Sequence, residues 1–313
     1  MLKSQWDFII GLLQSKTLLQ ARKEAECVLA QDPLDPEALL ISAAIARELG
    51  DDDEAVSRLW AALMIEPALP VLRNTLLSIF IQECTTPPVT RDFSLQSGER
   101  QTSANLAGIR VDHRCRYEFA ASWVRDNIAG AASKTGVDLF SGNGYGSAIM
   151  AHGAGCRMIG VDGSADAVAL AEQAYGTHRV LFKNAYFPFG LLANKFDFAV
   201  CYESIEHVAE PDKFLAVVDA ATQGPIFLSF PLEDTLPFAV NADLFKYHTQ
   251  HFTVADMENR LMTLCGRRIT QAYGQVVYQT TQSRLDGYIP EEDMILTDLN
   301  ATSQFAIVVA EKI

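Results

Sequence analysis

Val137-Asp-Leu-Phe-Ser-Gly-Asn-Gly-Tyr-Gly-Ser147 reads as a buried strand running into a turn built on alternating glycines, Gly142, Gly144 and Gly146, with an acid, Asp138, inside the apolar run. Glycine admits backbone angles that other residues resist and lets a ligand lie against the main chain. The run Ser147-Ala-Ile-Met-Ala-His152 reads as the start of a helix. Strand, glycine turn and helix, in that order, bring a nucleotide-like ligand to a helix N-terminus. Taken alone, the alternation describes a flexible turn equally well.

The next acid narrows the choice. Gly153-Ala-Gly-Cys-Arg-Met-Ile-Gly-Val-Asp162 reads as a turn and a second short strand ending in a carboxylate. An acid at that tip is where a Rossmann-like fold grips the ribose hydroxyls of its ligand. Asp162, followed by Gly163 and Ser164, also stands where an N-cap would precede the helical Ala165-to-Tyr175 run. A cap and a ribose ligand can share one turn. Spacing then separates two cofactor classes. Dinucleotide sites use Gly-x-Gly-x-x-Gly, whereas this chain has Asp138-x-x-x-Gly142-x-Gly144-x-Gly146.

That pattern resembles motif I of the class I S-adenosylmethionine-dependent methyltransferases. The resemblance implies that Asp138, Gly142 and Gly144 shape the bed of the cofactor and that Asp162 and Gly163 hold its ribose. It extends along the chain. Val180-Leu-Phe182 reads as a third strand, and Asn184-Ala185 falls where the family contacts adenine; Asn184 stands in place of the usual acid, with a side-chain oxygen that still accepts from an adenine N–H. Phe196-to-Tyr202 reads as a fourth strand, followed by Glu203-Ser-Ile-Glu-His207, similar to the family's Glu-His signature. Pro225-to-Pro231 reads as a fifth strand, Tyr247-His248 and Phe252-Thr253 match elements ahead of a late helix, and Phe305-to-Ala310 reads as a final strand. Gly98-Glu-Arg100, His113, Arg116-Tyr117, Phe119-Ala120 and Gly144-to-Ser147 resemble a bacterial group associated with glycosyltransferases and surface-glycan synthesis. The resemblance covers roughly residues 95–313. Gln223-Gly-Pro225 and His251 also depart from that group's pattern.

Bulk properties set limits. Of 313 residues, 25 are basic and 39 acidic, for a net charge of −14. Nucleic-acid binders usually present a basic face, so nucleic acid and anionic lipid are disfavoured as partners. Six scattered cysteines without a Cys-x-x-Cys pair favour reduced thiols in a cytoplasmic protein over disulfides or a zinc site. No apolar run approaches the ~20 residues that span a bilayer, and Phe8-to-Leu13 is too short for a signal core.

Residues 1–83 are a different object, reading as helices with short breaks. Asp32-Pro33 recurs as Glu66-Pro67 and Ala21 as Ala55, 34 residues on. Ala43, Ala55, Leu59, Ala62 and Pro67 fall where a tetratricopeptide repeat needs small, apolar or helix-ending residues. Residues 36–69 resemble one good unit and 2–35 a poorer one, with Ile9 at a small-residue position. Few such units bury their faces alone, so this block is expected to lean on the C-terminal domain or on another subunit, with a protein partner or self-association through these helices. Residues 84–94, around Pro87-Pro88, read as the linker.

Methyl transfer leaves the protein to position the acceptor and remove its proton. His207 is the candidate general base, with orientation of the cofactor loop as its other reading. Glu203 is expected to face the cofactor and Glu206 to orient His207; if this turn is helical, the three share a face, and a divalent ion there is the other reading. The expectation carried forward is no metal. His248 is a second base candidate, with a packed core histidine or a hydrogen bond to substrate as its other readings, and His152 and His178 read as surface residues. Arg116 suits the cofactor carboxylate, with Tyr117 walling the site. The sequence therefore predicts an α/β chain, in which a seven-stranded Rossmann-like methyltransferase domain at 95–313 follows an all-α repeat block. The resemblance implies S-adenosyl-L-methionine as its cofactor and a sugar hydroxyl as its acceptor. The rivals are O-methylation of a small phenolic or other metabolite, and a cofactor-binding interaction protein without turnover.

Overall fold

The computed structural model describes residues 2–82 and 101–313. Cys84, the expected linker at 84–94 and the Gly98-Glu-Arg100 motif lie outside the described residues. The chain forms two compact units, Met1–Gln82 and Glu83–Ile313.

The first unit is built of helices, α1 Leu2–Gln14, α2 Leu18–Leu29, α3 Pro36–Glu48, α4 Asp52–Ile65 and α5 Pro70–Phe80, and ends in the two-residue strand Ile81–Gln82. The starts of α1 and α3, and of α2 and α4, are each 34 positions apart. The helix starts are written in the sequence. Asp35 accepts the N–H groups of Glu37 (2.9 Å) and Ala38 (3.2 Å) ahead of Pro36 at the first helical position. Asp51 accepts the N–H of Glu54 at 3.1 Å. Each helix packs on the next, and α1 also packs on α3. Ala21, Ala25, Ala43, Ala55 and Ala62 are buried at these contacts, since only small side chains let helix backbones come that close.

In the second unit, α6 Val111–Asn127 precedes an alternation of strands and helices: β1 Thr135–Leu139, α7 Tyr145–Ala154, β2 Arg157–Asp162, α8 Ala165–Tyr175, β3 Val180–Asn184, β4 Phe198–Cys201, α9 Pro211–Ala221 and β5 Ile226–Pro231. There follow α10 Phe238–Asn241, α11 Val254–Cys265, β6 Arg267–Gln275, the hairpin β7 Tyr278–Thr281 and β8 Arg284–Tyr288, β9 Thr297–Asp298 and β10 Phe305–Lys312. The sheet order is β9-β6-β10-β5-β4-β1-β2-β3. β1 to β5 pair in parallel, and β10 is antiparallel to both β5 and β6. Strands β1, β4 and β5 are buried throughout, as expected of a parallel sheet covered on both faces. Strand order reverses between β1 and β4, the place where such sheets leave a crevice.

The sequence predicts seven strands; among the described residues eight pair in this sheet, because the two-residue β9 extends the edge beyond β6. Strand β6 has no apolar run to announce it. It is held by pairing with buried β10 and by Arg267, whose guanidinium reaches Asp219 (2.6 Å), Gly224 O (2.6 Å) and Thr222 O (2.8 Å). No described helix is long and apolar enough to cross a membrane.

Candidate active site

The carboxyl ends of β1 to β4 open onto a cavity of about 730 Å³. One wall is the turn Phe140–Gly142, Asp162-Gly163 and Ala185–Phe189. The opposite wall comes from α6, from Tyr247-His248 and from the β7–β8 hairpin.

The glycine turn is fastened by Asp162. Its Oδ2 accepts the Gly142 N–H at 2.9 Å, and its Oδ1 accepts the Ser164 N–H at 2.8 Å. The helix cap itself is Ser164, whose Oγ accepts from Ala167 at 3.2 Å, so the expected cap role of Asp162 passes to its neighbour. Gly142 has φ +55°, and a Cβ there would meet no atom within 4 Å, so the turn offers bare backbone to the cavity. Gly144, at φ +85°, lies under the turn rather than in the cavity: a Cβ would sit 2.4 Å from the Phe182 ring.

Asp138 is fully buried and does not line the cavity. It accepts hydrogen bonds from Ser147 Oγ (2.7 Å) and Tyr117 Oη (3.1 Å). Burial drives its carboxyl up to about 7, against the pull of those bonds. Its role is to hold α6 and α7 to the strand end. Asn184 also stays off the cavity wall; its Nδ2 donates to Asp162 O at 3.0 Å, while Ala185 and Tyr186 line the cavity.

On α6, Arg116 is 1% exposed. It donates to Gln275 Oε1 (2.6 Å) and Ser229 Oγ (3.4 Å), pairs with Glu203 and lies over the Phe305 ring. Glu203 is thus its carboxylate partner within the protein, and Arg116 also lines the cavity. Burial alone would raise the Glu203 carboxyl, but the Arg116 guanidinium outweighs it and holds the group below its ordinary range. Tyr117 also lines the cavity. Beside it, His113 accepts on Nε2 from Arg110 (3.3 Å), which makes Nδ1 the donor to Tyr145 Oη at 3.1 Å. Burial lowers His113 to about 4, and Asp112, bonded to Arg110, is held at about 2 despite its own burial.

At the far end stand Glu206, His207 and His248, whose ligand-type atoms all lie within 4.8 Å of one another. His207 lies in a short 3₁₀ turn, Ile205–His207. Glu203 precedes that turn with φ +49°, so the expected shared helix face of Glu203, Glu206 and His207 does not form. Nor does Glu206 orient His207. That is done by Tyr247, whose carbonyl accepts from His207 Nδ1 at 3.2 Å. Glu206 is fully buried, and both carboxylate oxygens lack a hydrogen-bond partner. Burial and nearby Glu203 push its carboxyl well up.

His248 belongs to a relay. His251 Nδ1 donates to Leu236 O at 2.6 Å, so His251 Nε2 must accept, from His248 Nδ1 at 2.9 Å. That leaves the lone pair of His248 on Nε2. Its ring stacks on Phe245 at 4.5 Å, and burial with neighbouring His207 lowers it to about 2, keeping it neutral. His152 is exposed and His178 half-buried, and neither lines the cavity.

Gly142, Asp162, Gly163, Ala185, Arg116, Tyr117, Glu203, His207 and His248 thus meet at one cavity, while Asp138, Gly144, Asn184 and Glu206 stand behind its walls. The sequence reading assigns no role to Tyr278 and Tyr288, which the hairpin brings to the cavity. Gln282 and Ser283 at its tip have φ +50° and +64°, a primed-turn geometry that normally advertises itself with Asn-Gly or Asp-Gly. These residues carry no such signal. Tyr288 is fixed there under the Arg110 guanidinium, at 4.6 Å.

Residues 137–222 match the family model described as a methyltransferase domain. No protein of curated function matches the sequence. Among solved structures, the chain is similar to magnesium protoporphyrin IX methyltransferase from Synechocystis, at 19% identity over 68% of this chain and 90% of that one, with a TM-score of 0.48. It is similar to a possible histamine N-methyltransferase from Thermotoga maritima at 18% identity, over 65% of this chain and 92% of that one, with a TM-score of 0.43. It is also similar to an S-adenosylmethionine-dependent methyltransferase from Mesorhizobium loti at 16% identity, over 63% of this chain and 100% of that one, with a TM-score of 0.46. Identities this low say nothing of the acceptor. The matched segment holds the glycine turn, Asp162 and the Glu203-to-His207 turn: the chain carries a methyltransferase domain and is an enzyme that transfers methyl groups from S-adenosyl-L-methionine.

Proposed function

We propose that the enzyme methylates oxygen, on a sugar hydroxyl of a glycan or glycan precursor. The carrying observation is the pair of imidazoles at the far end of the cavity, His207 and His248, each with Nδ1 bonded away to a protein acceptor. With the proton on Nδ1, the lone pair of such a ring lies on Nε2. A hydroxyl, unlike an amine, must lose a proton to become a good nucleophile. The residues at the other end fit the cofactor: Gly142 offers open backbone, and Asp162, which fastens the glycine turn through its carboxylate, lines the cavity. The chemistry supplied there by bound S-adenosylmethionine is an electrophilic methyl group on a sulfonium. Around it, Gly142, Asp162, Gly163 and Ala185 hold and orient, and His207 takes the acceptor proton on Nε2. Tyr278 and Tyr288 offer apolar faces beside the polar Arg110 and Asp112, a mixture suited to a sugar ring. The expected resemblance to glycan-associated enzymes points the same way.

A phenolic or other small flat acceptor is the second reading. The edge-to-face contacts of Phe187 with Phe189 and Phe214, with Tyr186 alongside in the cavity wall, favour it. The acceptor screen separates the two: incubation with labelled cofactor and panels of nucleotide sugars, lipid-linked sugars and phenols, read by mass spectrometry. Sugar O-methylation is the expected result; turnover on phenols or amines with none on any sugar contradicts it. The 34-residue recurrence of α1 to α4 supports a tetratricopeptide-like reading of the N-terminal block, with a protein partner or a second copy as its occupant. The described cysteines are all free thiols, in keeping with a cytoplasmic setting.

A further inference from the structure

We infer, on the premise of the sugar acceptor proposed above, that the cavity has a second sugar subsite at its mouth, on the ring of Tyr288, and that the acceptor is the uncharged end of an oligosaccharide rather than a single sugar carried by a nucleotide. A file of aromatic rings leads outward along one wall. Phe245 stacks on His248 with ring centroids 4.5 Å apart, Tyr278 meets Phe245 at 6.1 Å, and Tyr288 meets Tyr278 at 5.2 Å. All four line the cavity. Exposure grows along the file: Phe245 is 8% exposed and Tyr288 55%, with Tyr278 half-buried between them. Each step is comparable to the width of one sugar ring, so a ring placed at His248 leaves Tyr288 to the next ring of the chain.

The outer ring is held in place without being covered. The Arg110 guanidinium lies over Tyr288 at 4.6 Å, and Asp112 holds Arg110 through two bonds of 2.6 and 2.7 Å. The hairpin that carries Tyr288 is fastened to α10. Arg284 donates to Val240 O at 2.8 Å and to Asp243 at 2.7 Å, while buried Asn241 donates to Ser283 O at 2.9 Å and accepts the Leu285 N–H at 3.1 Å. A ring fixed in this way loses little freedom when a ligand settles on it. The negative face of the phenol attracts the C–H groups on the flat face of a sugar, and hydroxyls at the sugar's edge find charged donors and acceptors in Arg110 and Asp112. Packing on the core accounts for Tyr278, but not for the exposed ring of Tyr288.

Charge decides between a glycan end and a nucleotide sugar. A diphosphate is ordinarily gripped by arginine, lysine or the amides of a helix N-terminus. Among the described residues, two arginines and four acids line the cavity. Both arginines are already paired, Arg110 with Asp112 and Arg116 with Glu203. The lining is therefore acidic on balance, as is the whole chain at −14. Such a field repels a diphosphate and leaves neutral sugars indifferent to it. The side of His248 away from the aromatic file is given to the cofactor, so the ring at His248 is the last of its chain.

The test uses the full chain saturated with S-adenosylhomocysteine and titrated by calorimetry. The probes are methyl glycosides of glucose, galactose, mannose and rhamnose, the matching disaccharides, and the uridine and guanosine diphosphate sugars. At least one disaccharide should bind about 10-fold more tightly than its methyl glycoside, the scale of one aromatic contact, and more tightly than the nucleotide sugars. Tyr288→Ala should remove that advantage and Tyr288→Phe should keep it. In turnover, the loss in Tyr288→Ala should fall on KM for the disaccharide rather than on kcat. Equal or absent binding of single and double sugars, a preference for nucleotide sugars, or an advantage that survives in folded Tyr288→Ala overturns the subsite. Should that variant fail to fold, saturation-transfer NMR on the parent decides the point: transfer from aromatic protons to the second sugar ring supports the subsite, and transfer confined to the first ring overturns it. Methylation of sugars without any effect of chain length rejects the subsite and leaves the proposed activity standing. Disaccharide binding that depends on Tyr288, with methyl transfer to no oxygen, rejects the activity alone.

Discussion

The two ends of the cavity are built in different ways. The glycine-turn end is local. Asp138, Gly142, Gly144 and Asp162 fall within 25 consecutive residues, and their bonds run from strand tips to adjacent turns. The other end is assembled from afar: α6, the turn after β4, Tyr247–His251 and the β7–β8 hairpin. A site written in one segment is fixed by strand pairing and glycine geometry. A site gathered from several depends on tertiary packing, which no local pattern specifies.

The largest expected effect lies at the assembled end. His207→Ala should cut turnover by about 10²–10⁴-fold, the scale of losing a positioned base, with cofactor affinity nearly intact. Steady-state kinetics beside calorimetry check this. A full-rate variant removes His207 from the chemistry, and a variant that mainly loses the cofactor moves it to the local end.

Next comes Asp138, whose burial is the cost of the local design. The unfolded carboxyl releases its proton near 3.8, while the folded one keeps it to about 7. Between those values the folded state binds more protons, so stability falls as pH rises, by about 1.4 kcal/mol per pH unit and about 4 kcal/mol in all. Urea unfolding at pH 5 and pH 8 should show this fall, and Asp138→Asn should flatten it. An unchanged pH slope in the variant would mean that other groups carry the effect.

This contrast explains what could be read beforehand. The parallel strands announced themselves as apolar runs, and the glycine turn and Asp162 stood at their tips. The Glu203-His207 turn was visible as a motif, but not the left-handed φ of Glu203, which detaches it from the helical face that spacing suggested. The protein partners of Arg116 are hidden for a related reason: Glu203 and Gln275 are far off in sequence and reach it only through the fold. The hairpin tip at Gln282-Ser283 hides a primed turn in residues that rarely signal one.

The smallest effect concerns the helical block. Every described cavity residue lies beyond it, so a chain starting after Gln82 should bind cofactor within about 0.5 kcal/mol of the parent, as sites without shared partners behave additively. A folded truncated chain that no longer binds would mean that the block completes the site.

The central claim is that the turn and Asp162 grip S-adenosylmethionine, and calorimetric titration with S-adenosylhomocysteine tests it most directly. The parent should bind one equivalent, and folded Asp162→Ala should bind more weakly by roughly 1–3 kcal/mol, the cost of unsatisfied hydroxyl partners. Equal affinity in the two proteins, or no binding by the parent, would contradict the account.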